Sequence, residues 1–235
     1  MIKKILAVLT LLVTLAAAIS CGARVSGMTA EEAYQAARDA LGAADEYEII
    51  TERLVTSTDG AETVSSERST YRKHGDSIYM QNANLSNPKQ NMEGWYVGGI
   101  SYASFATMKV KMAVEPEKYF SENPERASDF LPDLDGDVLD GKKFEKCDGG
   151  YLVTLELSRN QYEALFGTLG IGGEIDGEVT FKMFFDADAN VTATETVFFM
   201  KVSGVRLYSV SRASIAFDSE PISAPENEDD FELIE

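Results

Sequence analysis

Residues 179–200, VTFKMFFDADANVTATETVFFM, decide the fold. Both flanks are rich in β-branched and aromatic residues, which suit the pleated, half-buried surface of a strand. Between them Asp186–Asn190 is a run of Asp, Ala and Asn. Asp and Asn tolerate left-handed backbone and hydrogen-bond to their own turns, so this segment reads as a hairpin turn. The same acids invite a calcium reading and fail it. An EF-hand loop needs Gly at its sixth position and Glu at its twelfth; counted from Asp186 these are Val191 and Val197. The run DLDGD, Asp133 to Asp137, fails likewise, with Val138 and Phe144 in those places. Successive strand side chains point to opposite faces. Phe184-Phe185 and Phe198-Phe199 therefore put large rings on both faces of the sheet. One face is expected to be core and the other to offer a ligand groove.

The same grammar extends in both directions. Downstream, Ser203-Gly204 turns the chain into VRLYSVSRASIAF, residues 205–217. Upstream, KKFEKC, the turn Asp148-Gly149-Gly150 and YLVTLEL make another hairpin. Ser158 with Gln161 can cap a short helix through residues 159–169. GIGGEIDG, 170–177, is a loop; GIGG lacks the following lysine that a phosphate-binding loop needs. Earlier still, EYEIITERLVTST meets the turn signal Asp59-Gly60, AETVSSERSTYRKH meets Gly75-Asp76, and SIYMQNA leads to a polar loop at 84–91. EGWYV, Gly98-Gly99 and ISYASFATMKVKMAV follow as strands. In the last, Met108, Val110, Met112 and Val114 alternate with Lys109, Lys111 and Ala113, the period of a strand with one wet face. Residues 115–142 hold three prolines and read as one or two helical turns starting near Pro116. Thr29 to Glu32 matches a capping box, followed by Ala33, Ala36, Ala37, Ala40 and Leu41 at helical spacing, with Gly42 as a stop. An early helix thus precedes a long antiparallel meander with helical pieces in two crossovers. No βαβ rhythm is present.

The chain begins with Lys3 and Lys4 and an apolar run from Ile5 to Ile19. At about fifteen residues the run falls short of the roughly 20 needed to span hydrocarbon. It reads as a signal peptide, residues 1–20. It closes on Ala18-Ile19-Ser20-Cys21, which resembles the lipobox of bacterial lipoproteins, with Ala18 where leucine is usual. That resemblance implies a diacylglyceryl thioether on Cys21 and cleavage before it. Two or more acyl chains hold a protein stably to a bilayer, at about 0.8 kcal/mol per buried CH₂. Ordinary signal cleavage near Ala16–Ala18 is the alternative. Residues 21–27 read as a flexible tether, 28–217 as the domain, and 218–235, with eight acids and no Lys or Arg, as an acidic disordered tail.

The formal charge is −18. So acidic a surface disfavours nucleic acid and anionic headgroups. With Cys21 lipidated, Cys147 has no disulfide partner, and Glu145 and Asp148 beside it argue against a reactive thiolate. His74 is the only histidine, so no Ser-His-Asp or Cys-His arrangement can be argued around it and no Cys/His cluster exists for zinc. A pair of carboxylates for glycoside hydrolysis finds no supporting spacing. No cofactor, metal or catalytic residue is assigned, and the chain is read as no enzyme. The candidates for an apolar ligand lining are Trp95, Tyr102, Phe105, Met108, Met112, Phe181, Met183, Phe185, Phe198 and Met200. Flexible methionines and aromatics suit an adaptable pocket; plain core packing is the competing reading for each.

The order of elements resembles a known group. A lipoprotein signal and short tether lead to a capped helix, then a long hairpin, GWYVGGISYASFATMKVKM, and the closing 179–200 hairpin. This is similar to the half-barrel lipoproteins related to the lipoprotein carrier LolA, including Gram-positive members, over residues 28–217. The resemblance implies an α+β fold, a mainly antiparallel β-sheet curled into a half-barrel around an apolar cavity, with the N-terminal helix and short crossover helices packed on it as a lid. Function follows as an expectation: a lipoprotein on the extracytoplasmic face of a bacterial membrane, anchored through Cys21 and binding a lipid-like ligand. The alternative is a cell-envelope interaction or sensor module with no small-molecule ligand, whose acidic tail meets a basic envelope partner.

Overall fold

A computed structural model describes residues 24–58, 62–122, 130–134, 136–166 and 173–234. The signal peptide, Cys21 and the Asp59-Gly60 turn lie outside the described residues. The flexible tether expected over 21–27 is corrected in its described part, because Val25 is buried in the core and the Ser26 hydroxyl donates to the Ala187 carbonyl at 3.1 Å. Helix α1 (Ala30–Ala43) opens the fold. The Glu32 N–H donates to Thr29 Oγ1 at 3.2 Å, and the Thr29 N–H donates to Glu32 Oε2 at 2.7 Å. Two orphan donors of the first turn are thereby satisfied. The bond from the Thr29 backbone holds the Glu32 carboxyl below its ordinary pKa.

Six strands follow as a meander: β1 (Glu46–Ser57), β2 (Thr63–His74), β3 (Ser77–Asn84), β4 (Met92–Val97), β5 (Ile100–Phe105) and β6 (Met108–Ala113). Helices α2 (Pro116–Glu122) and α3 (Gly136–Leu139) cross to β7 (Glu145–Cys147) and β8 (Gly150–Leu157). Helix α4 (Arg159–Phe166) then leads through β9 (Glu174–Ile175) to β10 (Val179–Phe185), β11 (Val191–Val202) and β12 (Val205–Ala216). The sheet is open, in the order β13-β6-β5-β4-β3-β2-β1-β12-β11-β10-β8-β7, where β13 is Glu232–Leu233 and β9 pairs with β11. All pairings are antiparallel except β13 with β6. The pairing of β1 with β12, from Glu48 with Ala216 to Ser57 with Leu207, joins the first meander to the second. The architecture is the expected α+β half-barrel.

Most turns stand where the sequence puts them. Gly98 and Gly99, at φ 60° and 82°, form the two-residue link between β4 and β5; paired positive φ is what a type I′ hairpin requires. Asp186 closes its own turn, Oδ1 accepting from the Asp188 and Asn190 N–H groups at 2.9 Å each. The Ser158–Gln161 cap is present, with the Ser158 N–H donating to Gln161 Oε1 at 2.9 Å. One strand expectation is corrected. Residues 100–114 are two strands, because Ala106 takes a left-handed φ of 52° and reverses the chain. Neither Gly, Asn nor Asp marks that turn.

The inner face of the sheet carries the core. Along β10, Val179, Phe181, Met183 and Phe185 are buried while Thr180, Lys182 and Phe184 alternate outward. The helices cover this face. Tyr96 of β4 stacks on Tyr119 of α2 at 4.0 Å, Phe181 meets Phe166 of α4 at 5.5 Å, and Phe185 meets Phe144 at 5.1 Å. Ala33, Tyr34, Ala37 and Leu41 give α1 its buried stripe. The Tyr34 hydroxyl donates to the Pro132 carbonyl at 2.6 Å, tying α1 to the crossover.

The acidic tail differs from expectation. The tail is fastened at both ends: the Ser219 hydroxyl donates to the Lys73 carbonyl at 2.7 Å, and at the far end Phe231 is buried, β13 extends the β6 edge, and the Lys111 ammonium donates to the Glu228 carbonyl at 2.8 Å. The physical reason is local. Lys109 and Lys111 alternate on the outer face of β6, the Lys109 ammonium reaches Asp230 at 3.1 Å, and one aromatic supplies the burial that the acids cannot.

Candidate functional site

A groove of about 510 Å³ lies on the inner face, between the sheet and the segment Phe130, Tyr162 and Phe166. Register shows why there is space. One cross-strand row runs Thr194, Ala213, Thr51, Ser69, Asn82, Met92, Phe105 over β11, β12, β1, β2, β3, β4 and β5. The next row toward Asp45 runs Ile49, Tyr71, Met80, Gly94, Ala103. Elsewhere on this face the side chains are Phe198, Met200 and Leu155, which fill the gap beneath the helices. Here threonine, serine, alanine and glycine leave it unfilled. Gly94 is decisive in the second row: Met80 Cε would lie 3.6 Å from a Cβ at that position. The groove opens at Met92 and Phe105, which are 49% and 38% exposed.

The chemistry of the groove is apolar with a hydroxyl floor. Tyr71, Met80, Phe130, Phe166 and Phe181 supply apolar surface, while Thr51, Ser69, Thr194, Thr196 and Ser211 supply weak donors and acceptors. Burial raises the Tyr162 phenol's pKa, with the nearby Arg53 charge pulling the other way. The groove's size falls in the range of roughly 300–1,000 Å³ usual for small-molecule sites. Among the described lining residues no nucleophile is hydrogen-bonded to a base.

The ten residues expected to line a ligand site separate into four places. Phe105 and Phe181 line the groove. Met183, Phe185, Phe198 and Met200 share its face but are buried as core, Phe198 under Tyr162 at 5.5 Å. Met108 and Met112 lie on strand β6, outside the groove's lining, where they pair with Phe105 and Ser101 and are 51% and 37% exposed. Trp95 and Tyr102 lie on the opposite face, where both meet Phe231 edge-on. The groove is therefore on the core face, and the expectation of a groove on the other face is corrected. That outer face is covered differently. The Arg206 guanidinium stands 4.1 Å from the Phe199 ring centroid, and that of Arg212 stands 5.2 Å from Phe184. Cation–π contact caps the outward rings.

The residues missed are the small ones. TATET, 192–196, and SRAS, 211–214, place Thr194, Thr196, Ser211 and Ala213 at alternate positions of strong strands. Alternating small polar residues in a strand ordinarily mark the solvent face, so the signal pointed outward.

No protein-family model and no curated protein matches the chain. Solved structures similar to it include an outer membrane lipoprotein-sorting protein domain from Vibrio parahaemolyticus, at 13% identity and TM-score 0.27, covering 86% of this chain and 96% of that one. A DUF1329 family protein from Desulfovibrio piger is similar at 11% identity and TM-score 0.26, covering 80% and 91%. A LolA superfamily protein from Nitrosomonas europaea is similar at 11% identity and TM-score 0.25, covering 86% and 97%. Likeness this loose transfers no residue and no ligand.

Proposed function

We propose that this chain is an extracytoplasmic lipoprotein, anchored to the bacterial membrane by acylated Cys21, that binds a hydrophobic, lipid-like ligand in the inner groove and is no enzyme. The observation that carries the reading is the groove itself: small side chains hold open a space of about 510 Å³ between apolar walls on an otherwise filled face. Apolar burial over such a surface favours an acyl chain at roughly 25 cal/mol per Å². The resemblance of 18–21 to a lipobox supports the anchor, and since Val25 is already packed in the core, only a few residues separate Cys21 from the domain.

The test is native mass spectrometry of the chain from Gly22 onward, before and after incubation with a mixed lipid extract. The reading expects a bound mass in the acyl-lipid range. A clean ligand-free mass in both samples overturns it. The anchor is tested separately: Cys21→Ser should move the protein out of the membrane fraction and abolish labelling by radioactive palmitate.

A further inference from the structure

We propose that the groove's ligand is an amphiphile with one anionic head, a carboxylate or a phosphate monoester, and that Arg53 receives that head. The proposal rests on the lipid-groove reading and adds the head-group class to it.

Register puts Arg53 on the inner face. It follows the groove residue Thr51 by one step along that face of β1, and its Cα partners are Ser211 of β12 and Glu67 of β2. Its Nη2 is closed off from solvent and has no hydrogen-bond partner. The neighbouring Glu67 does not supply one: its Oε1 accepts from the Ser65 hydroxyl at 3.0 Å, and no ion pair joins it to Arg53. Several other described arginines are matched by carboxylates, and Arg212 by the Phe184 ring. Arg38 reaches Asp133 at 2.7 Å, Arg72 reaches Glu48 at 2.6 Å, and Arg206 reaches Asp176 at 2.7 Å. A guanidinium keeps its charge at all accessible pH and offers five donors in a fork that fits carboxylate and phosphate. Arg53 as a whole is half-buried, but a guanidinium nitrogen closed off from water is ordinarily paired.

Arg53 is not itself part of the groove's lining; it stands one step beyond Thr51, and its surroundings fit a head-group site at that end. Ser211 is the cross-strand neighbour of Arg53, Thr196 follows one strand further in the same row, and both line the groove with hydroxyls. Tyr162 of α4, which also lines it, lies within reach of the Arg53 charge. The rest of the molecule opposes anions, with a formal charge of −18. Preference for an anionic head must therefore come from a local, partly buried cation rather than from the overall field.

The experiment uses the chain from Gly22 onward, which contains the whole described sheet and core. An uncharged fluorescent naphthylamine is bound in the groove and displaced by dodecanoate, monododecyl phosphate or dodecanol, three amphiphiles with one tail. At least one anion should displace the probe about tenfold more tightly than the alcohol, as a charge-assisted fork contact allows. Which anion does so distinguishes a fatty-acid source from a phospholipid-derived one. Arg53→Met should bring the anions to the alcohol's affinity and leave the alcohol unchanged. Arg53→Gln, which keeps a hydrogen-bonding side chain without charge, should do the same. Glu67→Gln should leave the preference in place or strengthen it. Equal affinities for anion and alcohol in the natural sequence, or a preference that survives both Arg53 variants, overturns the head-group assignment and leaves the lipid groove standing. Displacement by none of the three overturns both.

Discussion

Phe231 meets Tyr102 edge to face, with ring centroids 5.5 Å apart and planes at 90°. The contact fastens the acidic tail to the outer face of the sheet. Trp95 completes the cluster at 6.2 Å from the same ring, and the Tyr102 hydroxyl donates to Glu228 at 2.9 Å. Tyr102's burial, with Glu228 beside it, raises its pKa. One apolar side chain thus organises a segment whose composition argues against order. Its removal should be felt over the whole tail.

Phe231→Ala should lower the unfolding free energy by about 2 kcal/mol, the usual worth of burying one such ring. Trp95 is the only tryptophan, so its emission should shift to the red as the ring is uncovered. Urea titration followed by that emission reads both effects. Unchanged emission and midpoint would show that the tail does not rest on this face in solution.

Gly150 begins β8, and a Cβ there would collide with the Phe185 carbonyl oxygen on β10. That close approach lets Tyr151 and Phe185 pair. Gly150→Ala should cost about 3 kcal/mol, the upper part of the usual range for single substitutions. Gly149→Ala is the internal comparison. It also has positive φ, at 85°, but open space around its Cβ position, so it should lose only about 1 kcal/mol of conformational preference. Thermal melts of the two variants separate collision from backbone strain. Equal losses would mean that the strands do not meet so closely.

The strands and most of their turns were legible because their signals are local. The capping pairs Thr29–Glu32 and Ser158–Gln161, the turn at Asp186–Asn190 and the Gly98-Gly99 link each need only a few neighbouring residues. The Ala106 turn was not legible, since an alanine at positive φ has no propensity to announce it; the two strands impose it. The groove was misread for a longer-range reason. Its existence depends on Thr194, Ala213, Thr51 and Ser69 falling in one row across four strands, and that register is fixed by pairing β1 with β12. Seeking a pocket among the largest side chains found the core instead, because Met183, Phe185, Phe198 and Met200 fill space rather than leave it. Phe231 was overlooked for the opposite reason: one ring among eight acids is invisible to composition.

Asp186 gives the fold a pH dependence of definite sign. Burial pushes its pKa up, but hydrogen bonds from the Asn190 side chain and from the N–H groups of Asn190 and Asp188 outweigh that, and the folded pKa lies below the ordinary value. A carboxyl whose folded pKa is depressed adds stability above the unfolded pKa and loses it as pH falls through the folded one. Asp186→Asn should therefore be less stable than the natural sequence at pH 7, by on the order of 1 kcal/mol after solvent screening. The gap should close as the pH falls from about 4 toward 2, below the ordinary aspartate pKa. Urea unfolding at neutral and acid pH measures it. A gap that persists undiminished at acid pH would show that the turn does not depend on the ionised carboxylate.

Gly94 offers a way to fill the groove without disturbing what surrounds it. Its Cβ position would meet Met80 Cε at 3.6 Å and the Tyr102 carbonyl oxygen at 3.7 Å, both ordinary contacts. Its φ lies outside the left-handed region, so a larger residue adds no backbone strain there. Gly94→Leu should send its side chain into the space between Met80 and Ala103 and cut uptake of an uncharged fluorescent lipid probe by about tenfold, the effect of roughly 1.4 kcal/mol. Stability should change by less than about 1.5 kcal/mol, because the added volume enters an opening rather than a packed core. Val205→Ala, at a side chain 59% exposed and outside the groove, should leave uptake unaltered. Undiminished uptake in a folded Gly94→Leu protein would place the ligand elsewhere. Loss in both variants would trace uptake to nonspecific apolar surface. Loss in Gly94→Leu alone ties it to the row of small side chains that leaves this part of the sheet uncovered.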